Sequence, residues 1–128
     1  MAENNNTYVL AMLRYKRIVN NLTIKEFGRR LGVSSEFLGE IEKGNKIPSD
    51  YLIYNLADFL GISQDILFSG FNKIPILGEY YYKVKDREKF KELVYKVTDS
   101  DISEDSKQLL YDNVFEAYLR REVLSYRQ

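Results

Sequence analysis

The chain of 128 residues contains neither histidine nor cysteine. That absence removes imidazole bases, thiolate nucleophiles, disulfides and nearly every transition-metal site. Carboxylates, ammonium and guanidinium groups, hydroxyls and amides remain, and no two carboxylates can be placed together on one surface as a general acid and base would need. The chemistry left is ion pairing and hydrogen bonding, so neither an enzyme nor a cofactor is expected. Charge is balanced, with 19 Lys+Arg against 19 Asp+Glu. Residues 1–70 hold 8 of each sign and residues 71–128 hold 11 of each. A surface that attracts an anionic partner must therefore come from arrangement rather than from total charge. No run approaches the roughly 18 apolar residues of a membrane span, and the opening MAENNNTY lacks the layout of a signal peptide. A cytoplasmic protein without membrane contact is expected.

The elements that position these groups read as helices throughout. Leu10 and Leu13, continued by the stem of Arg17, give helical spacing over about 7–20. Thr23 stands three residues before Glu26, a spacing at which hydroxyl and carboxylate satisfy each other's backbone donors, and Ile24, Phe27 and Leu31 then share a face. Gly32 suits a left-handed helix end, and Ser34 can cap a third helix that turns Leu38 and Ile41 inward and ends at Gly44. After Pro48, Ser49 can cap a fourth helix with Leu52, Leu56, Phe59 and Leu60 inward. A fifth spans Ser63 to Phe68. Residues 69–85, with two glycines, Pro75 and a three-tyrosine run, read as an extended connection. Beyond it, Phe90, Leu93, Val94 and Val97 define one amphipathic helix, and a last one runs from Ser103 to about Tyr126. That last helix has two apolar stripes, one of Leu110, Val114, Ala117 and Leu124 and one of Tyr111, Phe115 and Leu119. Two helices cannot bury both, which points to a partner subunit or to packing on the first domain.

Two short helices around a glycine turn, with three more to complete a core, form the arrangement that presents a recognition helix to the DNA major groove. The run LTIKEFGRRLGVSSEFLGEIEKGNKIPS, Leu22 to Ser49, resembles the signature of the XRE family, the Cro and phage-repressor type. The likeness covers about residues 7–69. It implies an all-α protein with a five-helix lambda-repressor-like helix-turn-helix domain, followed by a two-helix carboxy-terminal region. The expected domains are 1–69 for DNA binding, 70–85 as linker and 86–128 for dimerisation or interaction.

By family position, Ser35, Glu36, Phe37 and Glu40 would read base edges, with Gly39 allowing close backbone approach. Glutamate can accept from cytosine N4, and Phe37 could cover a thymine methyl. Phosphates would be held by Thr23 and Lys25 at a helix start and by Lys43, Asn45 and Lys46 in the following loop, with Arg14 adding a contact, and Ser34 belongs to the same DNA-binding set. Ile24 replaces the family's common glutamine, removing one phosphate bond. Gly28 marks a close helix crossing, and Arg17 and Glu42 would form a partly buried ion pair that pins the recognition helix. IPILGE, Ile74 to Glu79, resembles the opening of a self-cleaving repressor domain, but no Ala-Gly pair follows and the remaining chain is too short, so it belongs to the linker.

The resemblance implies a sequence-specific transcriptional regulator, a homodimeric repressor of phage or mobile-element type that pairs through its carboxy-terminal helices on a near-palindromic site in double-stranded DNA. The competing reading is a protein-interaction module, an antitoxin or phage-encoded inhibitor. Neutral charge and the carboxylates of Glu36 and Glu40 on the third helix favour that alternative.

Overall fold

The computed structural model describes residues 2–75 and 80–122, with the side chains of 2–6, 80, 119 and 122 left aside. Among the described residues the chain is all helix: α1 (Ala2–Val19), α2 (Ile24–Leu31), α3 (Ser35–Glu42), α4 (Asp50–Leu60), α5 (Gln64–Gly70), α6 (Tyr80–Val84), α7 (Glu88–Thr98) and α8 (Glu104–Glu122). Among these described residues no helix is long and apolar enough to cross a membrane. The expected inward positions Leu119 and Leu124, the end of the last helix near Tyr126, and most of the Ile74–Glu79 fragment lie outside what is described.

The chain divides into two compact units, Met1–Pro48 with Leu52–Ile74, and Ser49–Tyr51 with Pro75–Gln128. The first unit holds α1, α2, α3, α5 and α4 from Leu52 onward. Asn21 and Asn72, both at φ 57°, turn the chain at the ends of α1 and α5, a backbone state that asparagine tolerates. The core contains Leu13, Phe27, Leu38, Ile41, Ile53, Leu56 and Leu67 with Tyr54 on Phe68, their ring centroids 5.2 Å apart. On α1 the inward pair is Val9 and Leu13, both 1% exposed, while the expected Leu10 is only half-buried. Phe59 is also displaced from its expected place. It lies at the rim of the core, 37% exposed, tilted against Phe27 at 5.6 Å and facing the Arg30 guanidinium at 5.9 Å. Gly70, two residues past the expected end of the fifth helix, lets α5 meet α1: a β-carbon there would collide with the Val9 side chain.

The second unit is organised by aromatic rings. Phe90 and Phe115 are 5.2 Å apart, Phe90 and Tyr118 5.6 Å, Tyr81 and Phe115 5.7 Å, and Tyr51 and Tyr111 4.9 Å. Such pairs contribute about 0.5–1.5 kcal/mol each beyond their buried area. The tyrosine run is therefore not an extended cover: it forms α6, and Tyr81 is buried. Hydrophobic demand explains the difference, because this small unit needs that ring to fill its centre. Of the two stripes on α8, Tyr111 and Phe115 face inward while Leu110 stays 40% exposed. The same unit supplies acceptors to the Ser49–Tyr51 backbone. Gln108 Oε1 accepts from the N–H of Ser49 at 3.1 Å, and the two carboxylate oxygens of Asp112 accept from Asp50 at 3.1 Å and Tyr51 at 3.3 Å.

Candidate nucleic-acid interface

Local capping sets the two central helices. The Thr23 hydroxyl accepts from the Glu26 N–H at 3.1 Å, and Gly32, at φ 75°, ends α2 by sending its N–H back to the carbonyls of Arg29 and Gly28. The Ser34 hydroxyl accepts from the Phe37 N–H at 3.1 Å and starts α3. The chain passes so close to Gly28 that a β-carbon would stand 2.7 Å from the Val33 carbonyl oxygen, a backbone atom that cannot swing aside. Glycine is needed at this crossing.

The end of α3 is held to α1. Arg17 Nε donates to Glu42 Oε2 at 2.8 Å and Nη2 to Oε1 at 3.2 Å, while Nη1 reaches the Leu22 carbonyl at 2.9 Å. The side chains are 15% and 6% exposed, so the pair is shielded from screening, and the two-pronged geometry offsets its desolvation. One guanidinium thus ties together the end of α1, the entry to α2 and the last turn of α3.

Burial on α3 follows Phe37, Leu38, Ile41 and Glu42. Phe37, expected among the base-reading residues, thus lies on the buried side of α3. At 6% exposure its ring belongs to the core and has no surface to offer a thymine methyl. The outward side keeps Glu36 exposed and Ser35, Gly39 and Glu40 half-buried. A β-carbon on Gly39 would meet only Ile24 Cδ1, at 3.7 Å, so the backbone there is open on its outer side.

The loop after α3 is tied to the same face. Asn45 donates through Nδ2 to Glu40 Oε2 at 2.7 Å and through its backbone N–H to the Glu40 carbonyl at 2.9 Å. Gly44, at φ 84°, makes the turn possible. Lys43 and Asn45 are exposed and Lys46 half-buried. Lys73 Nζ donates to the Pro48 carbonyl at 3.0 Å and fixes the far end of the loop.

Along α2, Thr23, Lys25, Glu26 and Arg29 line a shallow cavity of about 230 Å³. Glu26 accepts from Arg29 at 3.2 Å and lies 3.5 Å from Arg30. Arg29 was absent from the sequence-derived set. Its four-residue spacing from Lys25 was the available signal. The structure thus groups Thr23, Lys25 and Arg29 along one side of α2, and Glu40 with Asn45 at another edge, while Arg14 lies exposed on α1.

Comparison with known proteins converges on the same segment. A helix-turn-helix family model matches residues 13–67. The chain is 44% identical over 55 residues to the uncharacterized HTH-type transcriptional regulator YazB of Bacillus subtilis, a match covering 43% of this chain and 80% of that protein. It is 38% identical over 56 residues to the uncharacterized HTH-type transcriptional regulator MJ0272 of Methanocaldococcus jannaschii, covering 44% of this chain and 85% of that one. No solved structure matches significantly.

Proposed function

Because this chain belongs to the XRE-type helix-turn-helix family, we propose that it is a sequence-specific DNA-binding transcriptional regulator without catalytic activity, a homodimeric repressor of phage or mobile-element type acting in the cytoplasm on a near-palindromic operator. The observation that carries this reading is the fixation of α3. It is capped by Ser34, braced by the Arg17–Glu42 pair, and turns Ser35, Glu36, Gly39 and Glu40 away from the core. A rigid helix with a polar outer edge can read base edges in the major groove. Thr23, Lys25, Arg29, Lys43, Asn45 and Lys46 flank it and act on phosphates. The held carboxylate of Glu40 favours cytosine N4 as its donor. One such helix reads few base pairs, so two copies about one helical turn apart are needed. Leu109 and Leu110, 67% and 40% exposed on α8, favour pairing through the carboxy-terminal helices.

The test is selection of bound sequences from random duplexes at two salt concentrations, repeated with Glu36→Ala and Glu40→Ala. An enriched near-palindrome that changes with either substitution is expected. No enrichment at low salt would instead favour a protein partner on this face, a reading supported by its two glutamates and the zero net charge. Affinity for a protein need not fall steeply with salt, whereas phosphate contacts make DNA affinity do so.

A further inference from the structure

The outward face of α1 has no role in what is described above, and its composition is unusual for a surface. Tyr8, Tyr15 and Ile18 are 62%, 64% and 62% exposed, Val19 beside them is 57% exposed, and Ala11 between them is exposed as well. Scattered apolar residues on a surface are ordinary, but a continuous stripe along one helix is not. The order Tyr8, Ala11, Tyr15, Ile18 advances by three, four and three residues, the alternation with which two helices interlock side chains along a shared seam. Val9 and Leu13, on the opposite side, are already committed to the core.

We infer that α1 pairs antiparallel with α1 of a second copy of this chain, about a two-fold axis near Leu13. In that register Tyr15 meets the small Ala11 of the other copy, and Tyr8 meets Ile18, so large and small side chains alternate across the seam. A parallel pair would face alanine with alanine and leave a gap, and antiparallel helices also set opposite dipole ends side by side. Ile66 on α5, 41% exposed, widens the seam next to Tyr8. Beside it lies a cavity of about 250 Å³ lined by Tyr8, Val9, Asp65, Ile66, Ser69 and Gly70, at the end where Ile18 of the other copy arrives.

The area decides how strong this pairing is. With about three-fifths of each ring open, the two tyrosines offer on the order of 100 Å² apiece. Adding Ile18 and Val19, a two-fold pair covers roughly 800 Å², below the about 1,200 Å² at which stable interfaces begin. The contact is therefore weak and reversible, and it is populated at high protein concentration. It adds to the carboxy-terminal pairing and does not depend on DNA binding. The Arg14 residues of the two copies approach each other at the seam's edge, so salt relieves their repulsion and does not weaken the pair.

The absence of native cysteine makes a direct test possible. Full-length Ala11→Cys and Tyr15→Cys proteins, both altered at exposed positions and checked for unchanged helicity, are mixed without DNA in a thiol redox buffer. The mixed disulfide is expected at least tenfold above that formed by Tyr15→Cys with Lys91→Cys, an exposed site on α7, and it should persist at high salt. A mixed disulfide at the control level would overturn the pairing, whatever the protein does on DNA. Preferential linkage of Ala11→Cys to itself would overturn the antiparallel register.

Discussion

Arg17 grips Glu42 with two hydrogen bonds of 2.8 and 3.2 Å across 25 residues of sequence, and the carboxylate is almost wholly buried. Removing one partner leaves the other charge buried and alone. Arg17→Met is therefore expected to cost about 3 kcal/mol of stability, with much of the loss recovered in Arg17→Met/Glu42→Leu. Urea denaturation of the three proteins measures both values. Equal stability of single and double variants would show that the pair is not desolvated.

Two glycines should respond in opposite ways to alanine. At Gly28 the new β-carbon meets the Val33 carbonyl oxygen at 2.7 Å, so Gly28→Ala should lower the melting temperature despite a helix-propensity gain of about 1 kcal/mol. At Gly39 the nearest neighbour stands at 3.7 Å, and Gly39→Ala should be neutral or raise it. Thermal unfolding monitored by circular dichroism distinguishes them.

For DNA binding, Lys43→Ala should weaken affinity evenly across sequences and lower the salt slope by about 1. Phe37→Ala should behave differently, costing about 3 kcal/mol of folding stability through a cavity in the core. Titrations at several salt concentrations, beside denaturation curves, separate the two. A change in preferred sequence with unchanged stability in Phe37→Ala would show that the ring does reach the groove.

The Asp112 carboxylate accepts from the N–H groups of Asp50 and Tyr51. Asp112→Ala should thus destabilise the protein by about 1 kcal/mol, the usual cost of a lost helix cap. Asp112→Asn, which keeps one acceptor oxygen, should lose less. Chemical denaturation at neutral pH provides the comparison.

Burial pushes the Tyr111 phenol above its ordinary value of 10.0; the hydrogen bond with Thr98, at 2.6 Å, opposes this, and Tyr51 and Glu104 add to the rise. The folded state therefore favours the protonated ring more than the unfolded chain does. Its stabilising contribution is complete below about pH 10 and is lost as pH rises through the raised folded value. Tyr111→Phe should flatten the decline in stability above that pH, which alkaline denaturation series on both proteins would reveal.

The helix-turn-helix core was readable because its signals are local. Thr23, Gly32 and Ser34 act within three or four residues of themselves, so spacing alone placed α2 and α3. The phase of burial was less accessible. On the two turns of α3, a step of one residue moves a side chain by about 100°, and only tertiary packing decided that Phe37 points inward. The same holds for Val9 over Leu10 and for the rim position of Phe59. Long-range partners left no trace in local pattern: nothing near Asp112 or Gln108 announces that their acceptors serve residues about sixty positions earlier. The burial of Tyr81 likewise depended on distant rings, those of Phe115 and Tyr51.

The tight crossing at Gly70 also constrains the order in which this sequence can change. Any side chain at position 70 collides with Val9, and a smaller residue at position 9 would open a void if it came first. The two positions form a ratchet. Drift to a larger residue at 70 has to pass through a destabilised Val9→Ala or Val9→Gly ancestor, so Gly70 is expected to persist in descendants of this chain long after its surface charges have been replaced.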